Sequence, residues 1–121
     1  MSNKYSLIIK NADCYIDEKL VQADIAIKDD IIVKINPHMH EDADKFLDAT
    51  GLTIFPGIID TQVHFREPGD PLKETLESGS KAAVLGGVTG VFEMPNTSPP
   101  TDSIERFKDK LTRAQNSMYC N

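Results

Sequence analysis

Residues 57–69 read Gly-Ile-Ile-Asp-Thr-Gln-Val-His-Phe-Arg-Glu-Pro-Gly. An apolar run leads straight into Asp60, Gln62, His64 and Arg66, spaced two apart. Side chains alternate across a strand, so an extended chain here sets all four on one face. Hydrogen-bonding and ligand-capable groups gathered at one strand end make a site. That fixes what must surround it: a strand with an apolar start needs a sheet and covering helices.

The segments that follow supply that cover. Residues 58–65 are predicted as a strand. Asp70-Pro71 is predicted as a helix N-cap with proline in the first turn. Leu72, Leu76, Gly79, Ala83 and Gly86 then recur at spacings of four and three, one face of a helix whose small residues allow close packing on a sheet. Gly86-Gly87 stops it. Residues 88–94 form a second strand and residues 95–100 a loop. Asp102 with Glu105 predicts a capping box, and Ile104, Phe107, Leu111, Ala114 and Met118 again follow a helical period. Strand–helix–strand–helix implies a parallel sheet. Two such strands do not close a sheet, and a third is expected just past residue 121. The pattern reads as a (β/α)₈ barrel represented by its first two βα units, since a whole barrel takes about 250 residues.

The chain before Pro56 is different. Residues 5–10 are β-rich, and Asn11-Ala12-Asp13 is predicted to turn. Residues 24–28 alternate polar and apolar, and Asp29-Asp30 is predicted to turn the chain into residues 31–35. Residues 38–44 are polar loop and residues 46–55 extended. The division is therefore an α/β fold with a small β-sandwich module at 1–55 and the βα units at 56–121.

Composition excludes several classes. With 40% hydrophobic residues the chain is globular. A formal charge of −6 without a basic run argues against nucleic acid. No apolar run approaches the roughly 20 residues of a membrane helix, and the first ten residues lack a signal-peptide core. Cys14 and Cys120 lack a CxxC context and read as reduced thiols of a cytoplasmic protein.

Among single residues, His64 has the best setting for chemistry: neutral imidazole binds zinc and a strand end holds it rigidly. A packed histidine is the plainer alternative. Asp60 could orient a ligand or accept from loop amides. Arg66 offers a planar fork for a carboxylate, or pairs with Glu67 or Asp70. Asn96 can donate and accept together, as a substrate amide or carboxylate requires, or shapes its loop. His38-Met39-His40 mimics a metal pair, but in a polar loop with no strand to hold it. Glu93 is expected to pair with a helix.

Residues 56–69, Lys73-Glu74-Thr75-Leu76-Glu77-Ser78-Gly79, Gly86-Gly87-Val88-Thr89 and Met94-Pro95-Asn96-Thr97 occur in this order. Together they resemble the N-terminal part of a class I dihydroorotase, in the cyclic amidohydrolase superfamily, over nearly the whole chain. The resemblance implies zinc-dependent, reversible cyclisation of N-carbamoyl-L-aspartate to dihydroorotate in pyrimidine biosynthesis. It places a metal ligand on His64 and substrate contacts on His64, Arg66 and Asn96. The family's other first-strand ligand falls on Gln62, where a histidine is usual. An amide oxygen is a much poorer zinc donor than imidazole. The catalytic base has no counterpart in this chain, so the chain is expected to be inactive alone. Other readings are a non-catalytic structural partner, an allantoinase or a dihydropyrimidinase. A homo-oligomer or a transcarbamoylase partner is what the resemblance implies for assembly.

Overall fold

The computed structural model describes residues 4–121. It divides into two compact units, Met1–Pro56 and Gly57–Asn121.

The first unit is a five-stranded sheet: β1 (Leu7–Ile16), β2 (Lys19–Lys28), β3 (Ile31–Asn36), β4 (Phe46–Asp48) and β5 (Thr53–Ile54). The order is β3-β2-β1-β4, with β5 also on β1. Two tight turns join the first three strands. Asp17 and Glu18 have φ of 47° and 62°, Asp29 and Asp30 of 51° and 63°. Positive φ at both central residues matches the turn to the twist of the strands it joins. β4 and β5 return parallel to β1.

The turn expected at Asn11-Ala12-Asp13 is not one. β1 runs through it, and the register shifts between Ile9 and Ala12 as a β-bulge. Asn11, at φ 63°, takes up the extra residue. Asparagine tolerates this conformation better than most residues. Here its backbone N–H donates to Asp24 Oδ1 at 2.8 Å and its side chain to Asp48 Oδ1 at 3.0 Å.

Two apolar clusters fill this unit. Ala12, Cys14, Ala23, Ile25 and Ala49 form one, and Ile8, Ala26, Met39 and Ala43 the other. Met39 anchors the loop between His38 and His40, both of which are exposed. Asp24 is buried beside these clusters. It accepts from Lys10 Nζ at 2.6 Å, Met39 N at 2.7 Å and Asn11 N. Burial alone would raise its pKa; the Lys10 bond and the two backbone amides outweigh that and hold it below the usual carboxylate value. Burial, with Asp13 and Asp24 adding to it, pushes the Cys14 thiol up.

The second unit comprises β6 (Ile58–Val63), α1 (Leu76–Leu85), β7 (Val88–Glu93) and α2 (Ile104–Gln115). β6 and β7 pair in parallel. α1 starts at Leu76, not at Pro71. Residues 70–74 instead form turns in which Lys73 N and Glu74 N donate to Asp70 O, and Leu72 is wholly exposed. The start lies where acceptors converge on the free N–H groups of a first turn. Thr75 Oγ1 accepts from Ser78 N at 3.0 Å and Thr75 N donates to Ser78 Oγ at 2.9 Å, a reciprocal cap. Glu67 Oε2 accepts from Leu76 N at 3.0 Å. α2 is capped by Ser103, which accepts from Arg106 N, in place of the expected Asp102. The Asp102 carboxylate is drawn instead onto the Arg106 guanidinium at 2.6 Å. Met118 lies past the helix end.

Leu76 and Phe65 are the buried hydrophobic residues of this unit. α1 approaches closely because Gly79 has no side chain: a Cβ there would lie 2.5 Å from a Phe65 ring carbon. Asn121 N donates to Thr89 O at 3.0 Å and its carbonyl accepts from Val91 N at 2.7 Å. Asn121 thus pairs with the backbone of β7 in a strand-like manner. Among the described residues no helix is long and apolar enough to cross a membrane.

Candidate functional site

β6 and β7 end side by side. Met94 N donates to Val63 O at 2.9 Å, which aligns the segments leaving the two strands. His64 follows β6 and Asn96 lies just past β7. Their side chains meet, His64 Nδ1 to Asn96 Oδ1 at 2.9 Å. Two residues 32 apart in sequence are thus joined at the ends of adjacent parallel strands, where open α/β sheets hold ligands.

The loops beyond are tied together as well. Ser98 N donates to Pro68 O at 3.0 Å. Gly69 has φ 131°, and a Cβ there would lie 2.8 Å from Ser98 O. Thr97 is buried and donates to Pro99 O at 3.0 Å, so the threonine of the Met-Pro-Asn-Thr run shapes its loop.

Arg66 lies between these ties, exposed. Neither Glu67 nor Asp70 holds its guanidinium. Glu67 is committed to the α1 N-terminus and, at 3.4 Å, to Arg113 of α2. Sequence reasoning gave Glu67 no such role, since its two partners lie nine and 46 residues away.

The alternation from Asp60 to Arg66 does not run unbroken. Asp60 pairs with Val91 and Val63 with Glu93, so β6 carries one residue more than β7 over this stretch. A bulge re-aims the side chains around it. Asp60, Gln62 and His64 line one open cavity of about 350 Å³, but so do Val63 and Phe65 of the opposite parity, together with Glu74, Gly79 and Ala83. Arg66 and Asn96 are not part of that lining. Asp60 Oδ1 accepts from Gln62 N at 3.0 Å, an acceptor role as expected, but toward an amide of β6 itself and not of a loop. Glu93 pairs with Lys110 of α2 at 2.5 Å.

The donor set does not make a zinc site by itself. Among the described residues no group of three or more His, Cys, Asp or Glu side chains could hold a metal ion. His64 offers one imidazole and Gln62 an amide, whereas a catalytic zinc takes three protein ligands.

The chain as a whole has relatives of known family. The Dihydro-orotase-like family matches residues 51–121. A dihydroorotase of Lactobacillus helveticus is 43% identical over 101 residues, covering 84% of this chain and 23% of its own. One from Staphylococcus aureus strain Mu50 is 44% identical over 102 residues, covering 84% and 24%. Among solved structures, L-hydantoinase (dihydropyrimidinase) from Arthrobacter aurescens superposes with a TM-score of 0.88 at 30% identity, over 97% of this chain and 26% of that one. D-hydantoinase from a Thermus species gives 0.76 at 31% identity, over 95% and 26%. The framework is that of the cyclic amidohydrolases. Within them, the chain belongs to the Dihydro-orotase-like family. It spans about a quarter of the length of the curated relatives it matches.

Proposed function

We propose that this chain forms the substrate-carboxylate side of a dihydroorotase, the enzyme that reversibly cyclises N-carbamoyl-L-aspartate to dihydroorotate in pyrimidine biosynthesis. In this reading Met1–Pro56, a single five-stranded sheet and not the two packed sheets expected of a sandwich, is the module that precedes the barrel, and Gly57–Asn121 provides the first two βα units of the barrel. The observation that carries it is the bond joining His64 to Asn96 beside an Arg66 that neither neighbouring carboxylate holds. Dihydroorotate bears a ring carboxylate. A guanidinium left open in this way can grip it through two parallel N–H bonds, and the Asn96 amide can add a third. Holding the substrate by its carboxylate fixes where its amide lies, which is the share of catalysis that positioning supplies. Zinc is the family's expected cofactor, in the cytoplasm, but the residues present do not complete its site, and no step is assigned to it.

Hydantoinase chemistry is the second reading, favoured by the TM-score of 0.88. Unsubstituted hydantoin and dihydropyrimidine rings carry no carboxylate, so Arg66 distinguishes the two. The test puts this chain in place of the matching N-terminal quarter of a full-length dihydroorotase relative, either unchanged or with Gln62→His. The Gln62→His chimera is expected to open dihydroorotate and to lose that activity when Arg66→Met is added. The unchanged chimera, with Gln62, is expected to be at least about tenfold slower. A chimera that opens hydantoin or dihydrouracil in preference to dihydroorotate would overturn the assignment.

A further inference from the structure

We infer that Asn96 is a positioning residue that sets the tautomer of His64, in addition to any contact it makes with substrate. The inference uses the residues of the proposed carboxylate clamp, but its test needs neither substrate nor turnover.

Asn96 presents Oδ1 to His64 Nδ1 at 2.9 Å. A carbonyl oxygen only accepts, so the ring nitrogen facing it must carry the proton. In a neutral imidazole the other nitrogen then holds the lone pair. His64 Nε2 has no hydrogen-bond partner among the described residues, so that lone pair is uncommitted. The opposite amide orientation would turn Nδ2 toward the ring. It would place the lone pair on Nδ1 and the proton on Nε2. The two orientations therefore predict opposite tautomers.

The clamp favours the first orientation. With Oδ1 spent on His64, Asn96 Nδ2 is left to donate, and a substrate carboxylate accepts only from donors. In the reversed orientation Oδ1 would meet the carboxylate, acceptor against acceptor. One amide thus does two things: its oxygen holds His64 with Nε2 as an acceptor, and its nitrogen serves the anion. The ring is held at the end of β6 by a residue at the end of β7, and the two ends are locked by the Met94–Val63 and Ser98–Pro68 backbone bonds. The arrangement is built into the fold before any ligand arrives.

The chain has three histidines, so His38→Gln with His40→Gln leaves His64 as the sole ring signal. Long-range proton–nitrogen NMR at mildly alkaline pH reads its tautomer directly. The Nδ1–H form is expected to predominate in the full 121-residue chain. Asn96→Ala removes the acceptor and is expected to lower the Nδ1–H to Nε2–H ratio about fivefold. Asn96→Asp retains an acceptor and is expected to restore the Nδ1–H form. Predominance of Nε2–H in the parent chain would overturn the inference even if a variant failed to fold. An unchanged ratio in a folded Asn96→Ala chain would overturn it too. An unchanged ratio would leave the carboxylate clamp untouched, Nε2–H predominance would withdraw only its Asn96 bond, and the Arg66 grip is tested separately by the chimera.

Discussion

The two units hold opposite assets. Among the described residues, nine of the eleven buried hydrophobic side chains lie in Met1–Pro56, and only Phe65 and Leu76 lie in Gly57–Asn121. The first unit closes two apolar clusters on itself and satisfies its buried carboxylate through Lys10 and two amides. The second bears all the candidate chemistry and buries far less, while both leave large apolar side chains exposed, such as Ile31 and Phe46 in the first and Ile59 and Leu85 in the second. The difference teaches that stability and chemistry are separable here. Burial drives folding at roughly 25 cal/mol per Å² of apolar surface, and the second unit has spent little of its apolar surface that way.

The sharpest way to break this comparison is to remove a core residue from each unit. Leu76→Ala deletes one of the two buried hydrophobic side chains of the second unit, and such truncations cost about 2–5 kcal/mol. Both helices belong to that unit. Urea unfolding followed by helical circular dichroism should therefore shift strongly to lower denaturant in Leu76→Ala. Ile8→Ala, in the first unit, should shift it far less. Equal shifts would show the units to be one cooperative body.

A smaller effect sharpens the first unit's side. Asp24→Ala abandons Lys10 and two amides and should cost about 1–3 kcal/mol. The carboxyl's folded pKa is depressed. Its contribution is therefore complete above the unfolded value of about 3.9 and is lost as pH falls through the folded one. Thermal unfolding of the parent chain, followed at amides of β1 and β2, should weaken below about pH 4, and Asp24→Ala should flatten that dependence.

Sequence made some of this legible and hid the rest for identifiable reasons. The Asp29-Asp30 turn was readable because its chemistry is local. So was the stop at Gly86-Gly87. The α1 start was misplaced because Asp70-Pro71 carries the same local signature as a helix start. What decides in favour of Thr75 is Ser78 together with Glu67, a carboxylate arriving from another loop. The Asn11 bulge was missed because a left-handed asparagine looks the same in a turn and in a bulged strand. The break in β6 alternation depends on pairing with β7, a strand distant in sequence, and a period-two pattern does not report it. The resemblance assigned His64 and Asn96 separately; only the folded chain shows that they touch.

The claim that the clamp belongs to the second unit alone is tested most directly by titrating the ¹⁵N-labelled chain with N-carbamoyl-L-aspartate. The account predicts saturable NMR shifts at the Arg66 guanidinium, the Asn96 side-chain amide and the His64 ring, with Kd on the order of 1 mM, and none in β1 or β2. Shifts centred on the first unit, or no response at Arg66 and Asn96 at saturating ligand, would contradict it.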